Sequence, residues 1–120
     1  MPFNSTHDIN MKHYTIAFYS EAVQSEILDW PQGIKTSFIR IAEMMTEHGL
    51  IIGMPYIRPM GNGLFEIRAK GVEGIGRALF CTLVNQRTVI LHGFIKKTQQ
   101  TPAREIKTAR KRLNEVKHAN

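Results

Sequence analysis

The stretch LFEIRAKGVEGIGRALFCTLVNQRTVILHGFIK, residues 64–96, decides the fold of this 120-residue chain. It contains three runs rich in β-branched and aromatic residues, at 64–69, 75–84 and 89–96. The glycine-rich KGVEG and the pair Asn85-Gln86 separate these runs. Short strand-like runs divided by turn residues are typical of antiparallel strands joined by tight turns. The stretch therefore predicts a three-strand meander.

Upstream of the meander, the pattern predicts one strand and two helices. Residues 12–18 alternate between apolar and polar, as in a strand. Ser20 is a suitable N-cap for a short helix, and Pro31 fits the start of a second. Gly49 can end that helix by adopting a positive φ, and the Gly- and Pro-rich residues 49–63 are expected to form a loop. The apolar positions of the second helix recur at helical spacing: Ile34, Phe38, Ile41 and Met45.

Downstream of the meander, Thr101 and Pro102 predict an N-cap followed by proline at the first helical position. An apolar stripe runs through this last helix: Ile106, Ala109, Leu113 and Val116. The stripe either packs on the chain's own sheet or binds a partner. The element order predicts an α+β fold with an antiparallel sheet and a C-terminal helix. We expect residues 1–11 to form a flexible arm and residues 12–120 a single domain.

Charge is distributed unevenly along the chain. Residues 1–66 hold four of the 16 Lys and Arg and seven of the 10 acidic residues, whereas residues 67–120 hold twelve and three. A strongly basic half predicts a nucleic-acid partner, and the alternative is a solvated basic helix. Cys81 is the single cysteine and the histidines show no ligand spacing, so we expect a cytoplasmic protein without metal ion or cofactor. No apolar run is long enough to span a membrane.

Cations lie on every strand of the meander, where charges are uncommon and costly to bury unless they are paired. RNA cleavage by 2′-OH attack needs a base, an acid and cations for the charge that develops on the phosphate. The candidate catalytic residues are Arg68, Arg77, His92, Lys96 and Lys97. The candidate RNA-binding residues are Lys70, Phe94, Arg104, Arg110 and Arg112.

Four of the catalytic candidates also have a structural interpretation. His92 can be a hydrogen-bonded histidine on a half-buried strand, and Arg68 can form an ion pair with Glu66 or Glu73. Lys96 and Lys97 can be solvent-exposed lysines at the end of the last strand. Strict alternation on the last strand places one set of side chains on a common face: Ile90, His92, Phe94 and Lys96.

The segments GNGLFEIRAKG and GRALFCTLVNQRTVILHGFIKKTQQTPAREIKTARKR resemble the phage-derived, HigB-like branch of the RelE/ParE toxin superfamily. The matching positions are Leu64, Glu66 to Arg68, Arg77, His92 to Phe94, Lys96, Lys97, Thr101, Pro102, Glu105, Ile106, Ala109 and Arg112. The resemblance covers about residues 12–112 and is dense from residue 61 onward. Gly76 departs from it, because the pattern favours an aromatic residue before the second arginine. That change would remove a stacking surface for a base.

The resemblance implies a RelE-like fold and a toxin that cleaves mRNA on the ribosome without a metal. It also implies inhibition by a helix-turn-helix antitoxin. Arg68 and Arg77 match the sheet arginines that such toxins place at the scissile phosphate, and Lys96 and Lys97 match the basic residues that leave the last strand. Two alternatives stay open: a ParE-like toxin that poisons DNA gyrase, and a non-catalytic nucleic-acid-binding phage accessory protein.

Overall fold

The first helix begins and the second helix ends where local sequence signals predict. In the computed structural model, which describes residues 14–96 and 101–119, the Ser20 hydroxyl accepts a 3.2 Å hydrogen bond from the amide of Val23. Gly49 ends the second helix at φ 66°. The elements are β1 (Thr15–Phe18), α1 (Glu21–Leu28), α2 (Gln32–His48), a 3-10 turn (Gly49–Ile52), β2 (Ile57–Gly61), β3 (Leu64–Gly71), β4 (Gly74–Leu83), β5 (Arg87–Lys96) and α3 (Ala103–Ala119). The predicted α+β class is confirmed.

The sheet has five strands in the order β1-β5-β4-β3-β2. The β3–β4–β5 meander is antiparallel, as predicted, and β2 extends it antiparallel to β3. β1 lies parallel to β5, so the sheet is mixed. β1 covers only the first half of β5, because its four residues pair with Arg87 to Ile90. The second half of β5, which carries the basic motif, has no strand on that side among the described residues.

β2 lies within the segment that the sequence predicts to be a loop. Pro59 and Gly61 weaken any strand pattern there, but both are tolerated at the edge of a sheet, where Pro59 pairs with Phe65. A register shift between Pro59 and Gly61 allows the tight turn through Asn62, which has φ 52°. The loop interpretation is therefore wrong for residues 57–61. The predicted arm of residues 1–11 lies outside the described residues.

Two apolar cores lie on opposite faces of the sheet. The helices α1 and α2 cover one face with a core that includes Ile27, Phe38 and Phe80. Helix α3 covers the other face, where Ala109 and Leu113 are buried against the β3, β4 and β5 residues Leu64, Leu79, Cys81 and Leu91. Ile106 and Val116 complete this contact. The apolar stripe of α3 therefore packs on the chain's own sheet.

A β-bulge in β5 changes which side chains share a face. The register shifts between Leu79, which lies opposite His92, and Phe80, which lies opposite Ile90. Leu91 is the additional residue, and strict alternation is interrupted there. Ile90 consequently packs in the core beneath α1 and α2, whereas Phe94 packs in the core beneath α3. The sequence prediction that Ile90 shares a face with His92, Phe94 and Lys96 is therefore wrong for Ile90.

Trp30 fills a shallow region of the sheet made by two glycines. A Cβ on Gly76 would lie 2.6 Å from the Trp30 ring, and a Cβ on Gly93 would lie 2.6 Å from Ile27 and 3.3 Å from Trp30. Both glycines therefore face α1 and α2. An aromatic side chain at position 76 would meet Trp30 on the face opposite Arg77, so Gly76 removes no stacking surface beside Arg77. Within the described residues, no helix is long and apolar enough to cross a membrane.

Candidate nucleic-acid interface

Three of the candidate cations share one face of the sheet, close to the start of α3. Arg68 on β3 lies opposite Arg77 on β4, and Arg77 lies opposite Phe94 on β5. Directly opposed residues in a sheet point to the same face, as do residues two apart on one strand. Lys96 follows Phe94 by two residues and therefore joins this face. The meander thus brings Arg68, Arg77 and Lys96 together.

Glu66 lies fully buried among these cations. Its Oε1 accepts a 2.6 Å hydrogen bond from Nη1 of Arg77 and lies 3.1 Å from Nη2 of Arg58 on β2. Its Oε2 accepts a 2.8 Å hydrogen bond from the hydroxyl of Thr101. We call the cations around this carboxylate the cationic cluster: Arg58, Arg68, Arg77 and Lys96. The cluster carries more positive charge than Glu66 neutralises.

Three buried donors of the cationic cluster have no hydrogen-bond partner in residues 14–96 and 101–119. They are Nζ of Lys96, Nε of Arg68 and Nε of Arg77. An unsatisfied buried donor costs about 1–3 kcal/mol, and more when it is charged. Unsatisfied donors of this kind need acceptors, and guanidinium and ammonium groups form strong hydrogen bonds with the oxygens of phosphate and carboxylate groups. The arrangement is therefore suited to bind an anion.

Burial also changes the acidity of the cluster. Desolvation lowers the pKa of Lys96, the positive charge of Arg77 lowers it further, and Glu66 opposes both. The pKa of Arg77 is lowered by burial too, against the opposing effect of Glu66. Lys96 therefore releases its proton more readily than an exposed lysine. A lysine of this kind can take part in proton transfer.

His92 lies on the same face but apart from the cluster. Its Nε2 lies 2.5 Å from Oε1 of Glu105 at the start of α3, and its Nδ1 lies 3.5 Å from Nη1 of Arg112. The Phe94 ring lies 5.7 Å from the His92 ring, between His92 and the cluster along the strand. The four residue steps from His92 to Lys96 span about 13 Å at the usual rise of a strand. The structure therefore does not bring His92 to the same point as Lys96.

The candidate RNA-binding residues have different environments. Arg110 donates to the carbonyl groups of Met60 and Gly61, so it joins α3 to β2. Arg112 donates a 2.7 Å hydrogen bond to the carbonyl of Leu91 and stacks on the ring of Tyr19. These two arginines are held by contacts within the protein. Of the other three, Lys70 and Arg104 are exposed and Phe94 is buried. The catalytic candidate Lys97 lies outside the described residues.

A groove at the outer edge of β3 adds residues that the sequence predictions missed. It has a volume of about 380 Å³ and runs between α2, the segment before β2, and the ends of β3 and β4. The residues that give it its chemistry are Arg40, Tyr56, Arg68, Lys70 and Ile75. Arg68 belongs to both the groove and the cluster. Arg40 and Tyr56 lack a local signal, because a helix and a loop that are distant in sequence place them there.

The buried Glu66 and its partners Arg58 and Thr101 were also missed as parts of the site. A glutamate in the middle of an apolar strand is a signal that an ion pair is required. The partner cannot be read from the sequence, because Arg58 is in the unpredicted strand β2. Within the described part of the chain, no three His, Cys, Asp or Glu side chains are grouped so that they could hold a metal ion. Cys81 is buried, and desolvation raises the pKa of its thiol.

The mixed five-stranded sheet with two N-terminal helices and a C-terminal helix is consistent with a RelE-like fold. The chain belongs to the family described as Phage derived protein Gp49-like (DUF891), whose sequence model matches residues 25–114. This family is part of the RelE/HigB-like toxin superfamily, and membership is compatible with a toxin of a toxin-antitoxin system. No curated protein matches the chain.

Proposed function

We propose that this chain is the toxin of a type II toxin-antitoxin system, of the HigB-like branch, and that it cleaves mRNA on the ribosome. The cationic cluster is the observation that carries the proposal. Its donors Arg68 Nε, Arg77 Nε and Lys96 Nζ are buried and without acceptors among the described residues. A phosphodiester supplies acceptors and negative charge together, which satisfies both requirements of the cluster.

The proposed reaction is attack of an RNA 2′-oxygen on the adjacent phosphorus, independent of a metal ion. A bond forms between the 2′-oxygen and phosphorus, and the bond from phosphorus to the 5′-oxygen breaks. The products are a 2′,3′-cyclic phosphate and a 5′-hydroxyl. Arg68 and Arg77 stabilise the charge that develops on the non-bridging oxygens. Glu66 acts through Arg77, because its hydrogen bond fixes the guanidinium in place.

Lys96 is the proposed general base, since its Nζ is buried without an acceptor among the described residues and its lowered pKa makes the amine easier to deprotonate than that of an exposed lysine. The 2′-hydroxyl proton moves to Nζ of Lys96, and the leaving 5′-oxygen must take a proton from a second acid. Lys97 is proposed for that role on the resemblance alone. His92 is too distant along β5 to act on the same phosphate as Lys96, so we assign it to RNA binding, with its ring held in place by Glu105.

A cell-free translation reaction tests this function. The purified chain is added to extract with active ribosomes and to extract in which initiation is blocked, and mRNA 5′ ends are mapped in both. New 5′ ends that require translation are the expected result. Gyrase supercoiling is measured in parallel, because gyrase inhibition with intact mRNA would show a ParE-like toxin. RNA binding without cleavage or gyrase inhibition would show an accessory protein.

A further inference from the structure

The groove at the edge of β3 combines an exposed aromatic side chain with several cations. Tyr56 is 40% exposed, and its structural role rests on the backbone, whose amide and carbonyl bond to Gly53 and Arg68. Its ring makes no hydrogen bond or ring contact in residues 14–96 and 101–119. The phenol face is therefore available to a ligand.

The charges of the groove come from three elements. Arg40 projects from α2, and Arg68 and Lys70 come from alternate positions of β3. Within the described ranges, none of these three side chains has a carboxylate within ion-pair distance. A groove with three cations and no bound carboxylate selects a ligand with negative charge.

The groove is continuous with the cationic cluster through Arg68. The side chain of Arg68 lines the groove, and its charge also lowers the pKa values of Lys96 and Arg77 in the cluster. Lys70, Ile75 and Lys96 form one row across β3, β4 and β5, because Ile75 pairs with both lysines. This row contains no acidic residue and joins the cluster to the groove, so a chain of phosphates can follow it.

We propose that the groove binds the RNA nucleotide next to the scissile phosphate, with its base stacked on Tyr56 and its phosphate held by Arg40 and Lys70. The inference rests on the proposed function and adds a second binding position to it. The volume of about 380 Å³ falls within the range of small-ligand sites. The aromatic face favours a nucleotide over an acidic peptide, because bases stack on aromatic side chains in proteins that bind single-stranded RNA.

Binding of a short RNA oligonucleotide with all riboses 2′-O-methylated tests the groove, since this probe lacks the nucleophile and cannot be cleaved. Fluorescence anisotropy is measured for the wild type, Tyr56→Ala and Tyr56→Phe, with Lys111→Ala on the exposed face of α3 as the control. We expect Tyr56→Ala to weaken binding about 5- to 150-fold, the value of one stacked base. Tyr56→Phe and Lys111→Ala should bind as the wild type does.

Arg40→Ala gives an independent readout, because each phosphate contact contributes about 0.7 to the slope of log affinity against log salt on a single strand. We expect that slope to fall by about this amount in Arg40→Ala and to be unchanged in Tyr56→Ala. Unchanged RNA affinity in Tyr56→Ala, with cleavage still lost in Arg68→Ala, would overturn the groove inference and leave the proposed function intact. If Tyr56→Ala lost binding to an acidic peptide but bound RNA as the wild type does, the groove inference would also be overturned. A wild-type chain that neither binds nor cleaves RNA would contradict the proposed function itself.

Discussion

Arg77 and Glu66 form an ion pair between neighbouring strands, with 2.6 Å between Nη1 and Oε1 and side-chain exposures of 3% and 0%. Arg77 is therefore a structural residue as well as a candidate for phosphate binding. A role in phosphate binding alone would leave the thermal unfolding of Arg77→Ala nearly intact. The burial of this pair leads to a different expectation, because removing one partner leaves an uncompensated charge in the interior.

We expect Arg77→Ala to lower the free energy of unfolding by about 3–5 kcal/mol, measured by urea denaturation. Arg58→Ala is the matched control, since Arg58 contacts the same Glu66 oxygen but its side chain is 39% exposed. That variant should lose about 1 kcal/mol or less. Equal losses of unfolding free energy in the two variants would show that burial of the Arg77–Glu66 pair does not determine its contribution to stability.

Lys96→Met should stabilise the protein near neutral pH while abolishing activity. The Lys96 amine of the wild type is desolvated and lies beside Arg77, and both effects lower its pKa in the folded state. The unfolded chain then binds more protons than the folded chain between the lowered pKa and about 10.4, so wild-type stability rises with pH in that window.

Urea denaturation of the wild type and Lys96→Met at about pH 7 and about pH 10 measures this effect. The advantage of Lys96→Met should shrink as the pH rises. Comparing the two proteins cancels the titration of other groups, including Tyr19, whose pKa is raised by its hydrogen bond to Glu115. Lys111→Met controls for the loss of an exposed lysine. A stability difference that is the same at both pH values would be inconsistent with a desolvated Lys96.

Helix α3 should be required for folding rather than provide an apolar contact for an antitoxin. Truncation after Thr101 exposes Leu79, Cys81 and Leu91, and circular dichroism should show an unfolded chain. Leu113→Ala is a milder change that should cost about 2–5 kcal/mol. Where this variant is still folded, it should bind the proposed antitoxin as tightly as the wild type does, because Leu113 faces the sheet. A folded Leu113→Ala chain with weakened antitoxin binding would contradict this account of the stripe.

Local signals predicted the elements whose ends and faces depend on nearby residues. Ser20, Gly49 and the stripe of α2 behave as predicted because caps and helical periodicity act over a few residues. The parallel pairing of β1 with β5 depends on chain topology, which periodicity does not encode. The bulge at Leu91 likewise could not be predicted, because it depends on how β5 aligns with β4.

The candidate site was predicted only in part, because some of its residues are brought together by contacts that are distant in sequence. Arg68, Arg77 and Lys96 were candidates because each is a cation on a strand of the meander, and the register of the strands brings them together. Their surroundings depend on contacts distant in sequence: Arg58 reaches Glu66 from a strand that contains proline, and Thr101 reaches it from the start of α3. His92 is separated from Lys96 by the rise of β5 and instead contacts Glu105 at the start of α3.

The rate of mRNA cleavage by Arg68→Ala tests most directly the claim that the cationic cluster is the site of RNA cleavage. Arg68 is partly exposed, has no ion pair among the described residues, and belongs to both the cluster and the groove. The measurement is the single-turnover rate of mRNA cleavage in a translating extract, with the chemistry of the new 5′ ends determined. We expect 5′-hydroxyl ends from the wild type and Lys111→Ala, and a rate about 10²–10³ lower for Arg68→Ala at nearly unchanged stability. Wild-type cleavage rates in a folded Arg68→Ala chain would contradict the claim that the cationic cluster is the site of RNA cleavage.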